Sequence, residues 1–308
     1  MAHTNESVVS EFVLLGLSNS WDLQLLFFAI FSVVYVASML GNIMIIFLIS
    51  SNSHLNSSMY FLLGNLSFID ICQSNFATPK MLVDFFVEYK SISFEGCMAQ
   101  IFLLHSFVGS EMMLLVAMAY DRFIAICKPL HYNTIMTRRL CIIFVVISWA
   151  VGILHSVSHL VFTVDLPFCG PNEVDSFFCD LPLVIELACM NTYDLEIMIL
   201  TNSGLISLSC FLALIISYTI ILVTVWRQSS SKSSKALSTL TAHITVVILF
   251  FGPCIYFYIW PFSRLSVDKF LSVLYTVCTP MLNPIIYSLR NEDVKSALRK
   301  LRNHHVKS

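Results

Sequence analysis

Charge is scarce in this sequence: 12% of its 308 residues are Asp, Glu, Lys or Arg, whereas 57% are hydrophobic. A soluble globular protein carries about 25% charged residues, so this chain lacks the polar surface that a water-soluble fold needs. It also lacks repeats, heptads and Gly- or Pro-rich linkers, and the gaps between its apolar runs are short. These absences exclude soluble, repeat and coiled-coil proteins and predict a single integral membrane domain over residues 1–308.

Seven apolar runs are long enough to cross the hydrocarbon core of a bilayer, which takes about 20 helical residues. A membrane β-barrel would instead show segments of about ten alternating residues, and the sequence has none. The predicted fold class is an all-α membrane protein, a bundle of seven transmembrane helices over 24–289 with tails at 1–23 and 290–308. The predicted spans are 24–49, 59–82, 98–126, 140–162, 195–226, 237–260 and 268–289.

The distribution of Lys and Arg orients the bundle. If the N-terminus is extracellular, thirteen of the 17 basic residues fall on the cytoplasmic side, and none precedes Lys80. Such an excess marks cytoplasmic segments. Asn5 begins a glycosylation sequon on the predicted extracellular tail. Residues 1–20 lack the basic start of a cleavable signal peptide, so the first span is expected to act as the insertion signal.

Four of the ten cysteines are predicted to be extracellular: Cys97 at the head of the third span and Cys169, Cys179 and Cys189 in the loop 163–194. That compartment is oxidising, so we expect disulfides. Four cysteines allow three pairings. Among these we favour Cys97–Cys179, which would tie the loop to the third span, together with Cys169–Cys189.

Two carboxylates fall at membrane depth, Asp70 in the second span and Glu111 in the third. Ionisable side chains inside a bilayer are costly and indicate function. The pair can share a cation such as Na⁺, share a proton, or bind polar neighbours such as Asn42 or Asn283. We favour the ion-linked or proton-linked switch over a purely structural network, and we expect no other cofactor.

Asp121 and Arg122 end the long apolar run of the third span. A charged side chain at the centre of a bilayer costs about 2.5–3.5 kcal/mol on insertion scales. The pair is therefore expected at the edge of the membrane, where a soluble partner can reach it.

Pro284 in the seventh span removes a backbone donor and bends the helix. We expect Asn283 to satisfy the freed carbonyl and Tyr287 to project one turn below, which together predict a hinge near the cytoplasmic face. Beyond the seventh span, residues 294–301 show an apolar stripe beside a basic one. This pattern predicts a short amphipathic helix along the inner leaflet.

Three histidines, His105, His155 and His159, raise the question of a metal site, because the last two are one helical turn apart. Two histidines at this spacing can bind Zn²⁺ or Cu²⁺. No carboxylate or cysteine on the same helix face completes a site, so we predict no metal and favour polar packing or hydrogen bonding to a ligand.

Several short motifs occur in order along the chain, among them Met-Ala-Tyr-Asp-Arg over 118–122, Lys-Pro-Leu-His-Tyr over 128–132 and Pro-Met-Leu-Asn-Pro-Ile-Ile-Tyr over 280–287. With Gly41-Asn42, Ser217-Tyr218, Lys-Ala-Leu-Ser-Thr over 235–239 and the extra loop cysteines, they resemble the olfactory (odorant) receptors of the rhodopsin-like G-protein-coupled class. The resemblance covers essentially the whole chain. Three residues depart from the family pattern: Ser58, Phe123 and Leu240.

The resemblance implies a receptor, not an enzyme, in the plasma membrane of the cilia of olfactory sensory neurons. It would couple to a stimulatory heterotrimeric G protein and raise cyclic AMP, with arrestin and trafficking chaperones as further partners and no nucleic acid. Arg122, held by Asp121 when inactive, would be freed to meet the G-protein α subunit. Other residues implied in coupling are Tyr218, Lys235, His243, Asn283, Pro284 and Tyr287.

The same resemblance places a pocket for a small volatile ligand in the outer half of the bundle. A mostly apolar lining with a few donors and acceptors is typical of such a site. A receptor for a non-odorant small molecule or lipid is the nearest alternative, and a transporter or channel a distant one. The predicted pocket residues are Leu104, His105, Val108, Gly109, Met112, His159, Asn202, Ser203, Ile206, Ile255, Tyr258, Ser272 and Thr276.

Overall fold

The computed structural model describes residues 9–52, 55–169, 171–227, 232–259, 266–290 and 294–299, without the side chains of 232–240, 242, 258–259, 266–268 and 287–290. Asn5, the predicted glycosylation site, lies outside these residues. The long helices are α1 Trp21–Ser51, α2 Ser58–Asp84, α3 Phe94–Cys127, α5 Arg138–Thr163, α7 Tyr193–Arg227, α8 Lys232–Ile259 and α10 Thr279–Arg290. The short elements are β1 Glu11–Leu14, β2 Ser91–Ser93, α4 Tyr132–Ile135, β3 Glu173–Val174, α6 Leu181–Ile185 and α9 Ser266–Val273.

The seven predicted spans correspond to α1, α2, α3, α5, α7, α8 and the run from α9 to α10. Among the described residues, five segments are long and apolar enough to cross a membrane. They lie in α1, α3, α5, α7 and the stretch from α9 to α10. A shorter apolar stretch, His243–Phe257, lies in α8. α2 has the length of a span, but polar groups such as Asp70 and Gln73, both buried inside the bundle, interrupt its apolar sequence.

A small three-stranded sheet covers the extracellular end, and the sequence did not predict it. β1 pairs antiparallel with β2 and parallel with β3. The predicted tail 1–23 therefore contains a strand whose Phe12 and Leu14 are buried. Gly16, just after β1, has a φ of 72°, a left-handed conformation that glycine adopts without steric cost. Its carbonyl accepts a hydrogen bond from Lys269 Nζ at 3.1 Å.

α3 and α5 cross at two glycines, which lets their backbones approach closely. A Cβ on Gly109 would lie 3.0 Å from Gly152 Cα, and one on Gly152 would overlap the Ser106 carbonyl and the Ser110 hydroxyl. Small residues at such crossings allow close packing of helices within a membrane. The crossing fixes the depth of His105 on α3 against His155 and His159 on α5.

The last span is a helix with two irregularities. A π-helical turn, Leu274–Cys278, joins α9 to α10, and Pro284 lies inside α10. The proline removes the donor for the Pro280 carbonyl, and Asn42 Nδ2 on α1 replaces it at 2.8 Å. The expectation that Asn283 would satisfy this carbonyl is therefore wrong, because its amide binds two carboxylates instead.

Residues 294–299 are helical, in agreement with the amphipathic helix expected there. Val294 and Ala297 from its apolar stripe are buried, and Leu298 packs against the same core as the long helices. This stripe therefore contacts the bundle and is not turned only toward the inner leaflet.

Candidate functional site

A cavity of about 60 Å³ lies at the extracellular end of the bundle. One buried water occupies about 10–15 Å³ on the same scale, so the cavity is of a size for a small ligand. α3, α6, α7, α8 and the π-helical turn all contribute to it. Its lining is Leu104, His105, Val108, Asp180, Leu181, Pro182, Ile199, Leu200, Cys254, Phe257 and Tyr275.

Two disulfides hold the extracellular loop over this cavity. Cys97 on α3 bonds to Cys179, and Cys169 bonds to Cys189, the two pairs expected from the sequence. The backbone N–H of Cys179 also donates to Gln100 Oε1 at 3.0 Å. Because Asp180 directly follows Cys179, the bond to α3 places the loop and α6 in the cavity wall.

Three predicted pocket residues, Leu104, His105 and Val108, line the cavity. Gly109 does not, because it faces Gly152 on α5. Asn202 also lies elsewhere, since its amide donates to Ser158 Oγ at 2.6 Å.

The other predicted pocket residues lie around the cavity or are packed within the bundle. His159 and Ser203 are hydrogen bonded to each other at 2.9 Å. Ser207 Oγ lies 3.6 Å from Met112 Sδ, and Thr276 Oγ1 donates to the Ser272 carbonyl. Ile206 and Ile255 pack against the core, and the Tyr258 side chain lies outside the described residues.

Sequence reasoning missed the loop residues of the lining, all four of its residues from α7 and α8, and Tyr275. The available signal was the predicted Cys97–Cys179 bond, which brings residues just after Cys179 to the head of α3. No periodicity in α7 or α8 separates a cavity-facing apolar residue from one that packs on a neighbouring helix. Ile199, Cys254 and Phe257 are examples.

The three histidines form a buried cluster beside the cavity. Their ring centroids are 4.5 Å apart for His155 and His159, 4.8 Å for His105 and His159, and 5.7 Å for His105 and His155. Ser203 Oγ lies within hydrogen-bonding distance of Nε2 of both His159 and His155. Within the described part of the chain, no group of three or more His, Cys, Asp and Glu has the arrangement of a metal site.

The two membrane-depth carboxylates meet at one amide in the middle of the bundle. Asn283 Nδ2 donates to Asp70 Oδ1 at 3.0 Å and Oδ2 at 3.1 Å, and to Glu111 Oε1 at 3.2 Å. All three residues are buried, and Glu111 Oε2 has no hydrogen-bond partner. Two carboxylates around one donor repel each other when both are ionised. A proton or a cation bound by these oxygens would remove that repulsion.

The cytoplasmic end of α3 carries a second polar site. Arg122 Nη2 lies 3.3 Å from Asp121 Oδ2, and Tyr132 in α4 donates its hydroxyl to Asp121 Oδ1 at 2.8 Å. Burial, together with the nearby Asp121 charge, raises the pKa of Tyr132, so its hydroxyl keeps its proton. Asp121 is thus held at the mouth of the bundle by an ion pair with Arg122 and a hydrogen bond from Tyr132.

Tyr218 and His243 are buried, at the inner ends of α7 and α8 respectively. The helices place both residues on the cytoplasmic side of the interior carboxylates. The side chains of Lys235 and Tyr287, which were also expected in this region, lie outside the described residues.

A seven-helix bundle with an outer cavity, interior carboxylates and a cytoplasmic Asp-Arg pair defines the class of rhodopsin-like membrane receptors. A model of the family described as "Olfactory receptor" matches residues 31–304. The chain is similar to Olfactory receptor 4K1 of Homo sapiens, at 86% identity over 100% of this chain and 99% of that protein. It is also similar to Olfactory receptor 4K3 of Homo sapiens, at 61% identity over 100% and 98% of the two chains.

The chain therefore belongs to the olfactory receptor family, as the motifs indicated. Its apolar helices and this membership make it a multi-pass protein of the plasma membrane.

Proposed function

We propose that this receptor binds a small volatile odorant in the outer cavity and activates a stimulatory heterotrimeric G protein, which raises cyclic AMP. The supporting observation is that one helix, α3, carries both His105 in the cavity wall and Arg122 at the cytoplasmic end. Signalling then consists of ligand binding and a change in conformation, without turnover of a substrate.

Asp121 is the restraint on signalling in this proposal. Its buried carboxylate forms an ion pair with Arg122 and accepts a hydrogen bond from Tyr132, which keeps the guanidinium against α3. In the active state Arg122 leaves Asp121 and contacts the C-terminal helix of the G-protein α subunit, with Tyr218 and Tyr287 turning toward it. An odorant favours this state only if it binds it more tightly than the inactive one.

Leu130 extends the proposed contact surface. It lies in the 3₁₀ turn Pro129–His131 beside Tyr132 and is 93% exposed. A large apolar side chain that is exposed beside polar residues is typical of a site of protein contact. Leu130 would insert into an apolar depression of the G protein while Arg122 makes the polar contact.

The experiment that tests the coupling role is cyclic AMP measurement with Arg122→Ala in cells that express the full chain, against a broad panel of volatile compounds. We expect loss of the response with surface staining unchanged. Arg122 is partly exposed and contributes little to the packing of the core, so its removal should not impair folding. Arg139→Ala, an exposed basic residue on the same side of the membrane, is the matched control and should respond normally. A normal response in Arg122→Ala would refute the role.

We further propose that the interior cluster binds Na⁺ or holds a shared proton, since carboxylate oxygens without enough donors suit either. Exchange of Na⁺ for choline should change basal cyclic AMP in the native chain and have no effect in Glu111→Gln. The Glu111→Gln variant keeps the shape of the side chain and removes its charge. If the cluster holds a proton instead, the native signal will follow pH and ignore Na⁺. A response of Glu111→Gln identical to that of the native chain under both changes would contradict either role.

A further inference from the structure

The tautomer of His105 is set by the backbone. Its Nδ1 lies 2.8 Å from the carbonyl oxygen of Ile101, one turn earlier on α3. A carbonyl oxygen only accepts, so Nδ1 carries the hydrogen. In a neutral imidazole the other nitrogen, Nε2, then has a lone pair and no hydrogen. The polar atom that His105 can offer to a ligand is therefore an acceptor.

The surroundings of the ring favour its neutral form. His159 and His155 lie against it, with ring centroids 4.8 Å and 5.7 Å away. No carboxylate among the described residues forms an ion pair with His105. A charged imidazolium at this depth would stand among other imidazoles and mostly apolar walls, and Asp180, a carboxylate of the same lining, makes no ion pair with His105. A charge without such a partner is unfavourable in a membrane.

The rest of the lining supplies few donors to a ligand. Asp180 contributes a carboxylate, which accepts hydrogen bonds, and Cys254 only a weak thiol donor. Tyr275, whose hydroxyl can act either way, is the remaining polar side chain of the lining. The other members are apolar: Leu104, Val108, Leu181, Pro182, Ile199, Leu200 and Phe257.

We infer that, within the odorant-receptor function proposed above, the cavity selects small apolar molecules that carry a hydroxyl group, whose hydrogen is accepted by Nε2 of His105. A ketone or an ether of the same shape brings an acceptor to an acceptor and leaves Nε2 unpaired. A site built to bond a hydroxyl discriminates strongly against an analogue that lacks it. One buried hydrogen bond accounts for a preference of about tenfold.

The test compares matched compounds on cells that express the full chain: 2-hexanol and cyclohexanol, their methyl ethers, and the corresponding ketones. The expected result is an alcohol concentration for half-maximal cyclic AMP that is about tenfold lower, or more, than that of the ether or ketone. Equal or greater potency of the ethers and ketones would overturn the inference while leaving the receptor function intact.

Two variants separate this role from a merely structural one. His105→Phe keeps an aromatic ring without an acceptor, so alcohols should lose about tenfold in potency while ethers lose none. His105→Gln offers both a donor and an acceptor, so ketones should gain. An equal loss for all compounds in His105→Phe would overturn the assignment, because it would show a packing role only.

A direct binding measurement tests the ligand preference independently of signalling. The purified full-length receptor is heated with each compound, and the shift of its unfolding temperature reports binding. A shift with 2-hexanol that exceeds the shift with its methyl ether supports the inference even if cyclic AMP does not rise, in which case only the proposed coupling fails. If none of the alcohols raises the unfolding temperature, the inference is overturned.

Discussion

α1 and α3 are similar in length and hydropathy, but α1 is mostly exposed and α3 mostly buried. Both exceed 30 residues, and the most apolar stretches have a mean hydropathy of 2.2 and 1.8. In α3, 72% of the residues in that stretch are buried inside the protein, against 11% in α1. Hydropathy thus identifies a span but not its position in the bundle. What distinguishes α3 is the set of small and polar residues at depth, such as Gly109, Ser110 and Glu111.

The largest effect is expected where α3 crosses α5. Gly152→Ala would place a Cβ into the Ser106 carbonyl and the backbone nitrogen of Ser110. Backbone atoms cannot move aside as a flexible side chain can, so the helices must separate, at a cost of more than about 3 kcal/mol. Surface expression and the thermal unfolding temperature of the purified protein measure it.

Gly252→Ala is the matched control for that prediction. A Cβ on Gly252 in α8 meets no atom within 4 Å. Alanine is favoured over glycine inside a helix by about 1 kcal/mol, so this variant should be as stable as the native chain or slightly more so. If Gly152→Ala behaved in the same way, the close approach of α3 and α5 would be wrong.

The smallest effect is expected on the lipid-facing side of α1. Leu40 there is 63% exposed, whereas Leu114 of α3 is 1% exposed. Leu114→Ala should lower the free energy of unfolding by about 2–5 kcal/mol because it leaves a cavity. Leu40→Ala should change it by less than about 0.5 kcal/mol, as expected for a surface position. Similar losses in both variants, by thermal unfolding in one detergent, would contradict the difference in burial.

The sequence predicted the seven spans well, because a span is recognised from one continuous apolar run and needs no information about distant residues. It also brought together Asp70, Glu111 and Asn283 as candidates for one polar cluster, because polar groups at depth have few partners. The partner of the Pro280 carbonyl was assigned wrongly. Asn42 is distant in the chain and becomes its donor only because α1 packs against α10.

The cavity was predicted less well than the spans. The family resemblance placed Leu104, His105 and Val108 in the pocket, and these residues share one face of α3. Gly109 was predicted to lie on the same face, yet it packs against Gly152 of α5 and does not reach the cavity. The strand β1 was missed because a four-residue segment in a polar tail shows no distinctive pattern, and its partners come from two other parts of the chain.

The sequence by itself determined the membrane class, the number and order of the spans, their orientation and the family. These depend on the composition of continuous segments, on the excess of Lys and Arg on one side, and on short motifs. Only the tertiary structure decided which helix lies at the centre, which loop residues enter the cavity wall and which nitrogen of His105 can meet a ligand. The first two depend on contacts between distant segments, because burial is set by packing and not by local sequence. The third depends on a local hydrogen bond within α3, from His105 to the Ile101 carbonyl, and on the packing that brings His105 to the cavity wall.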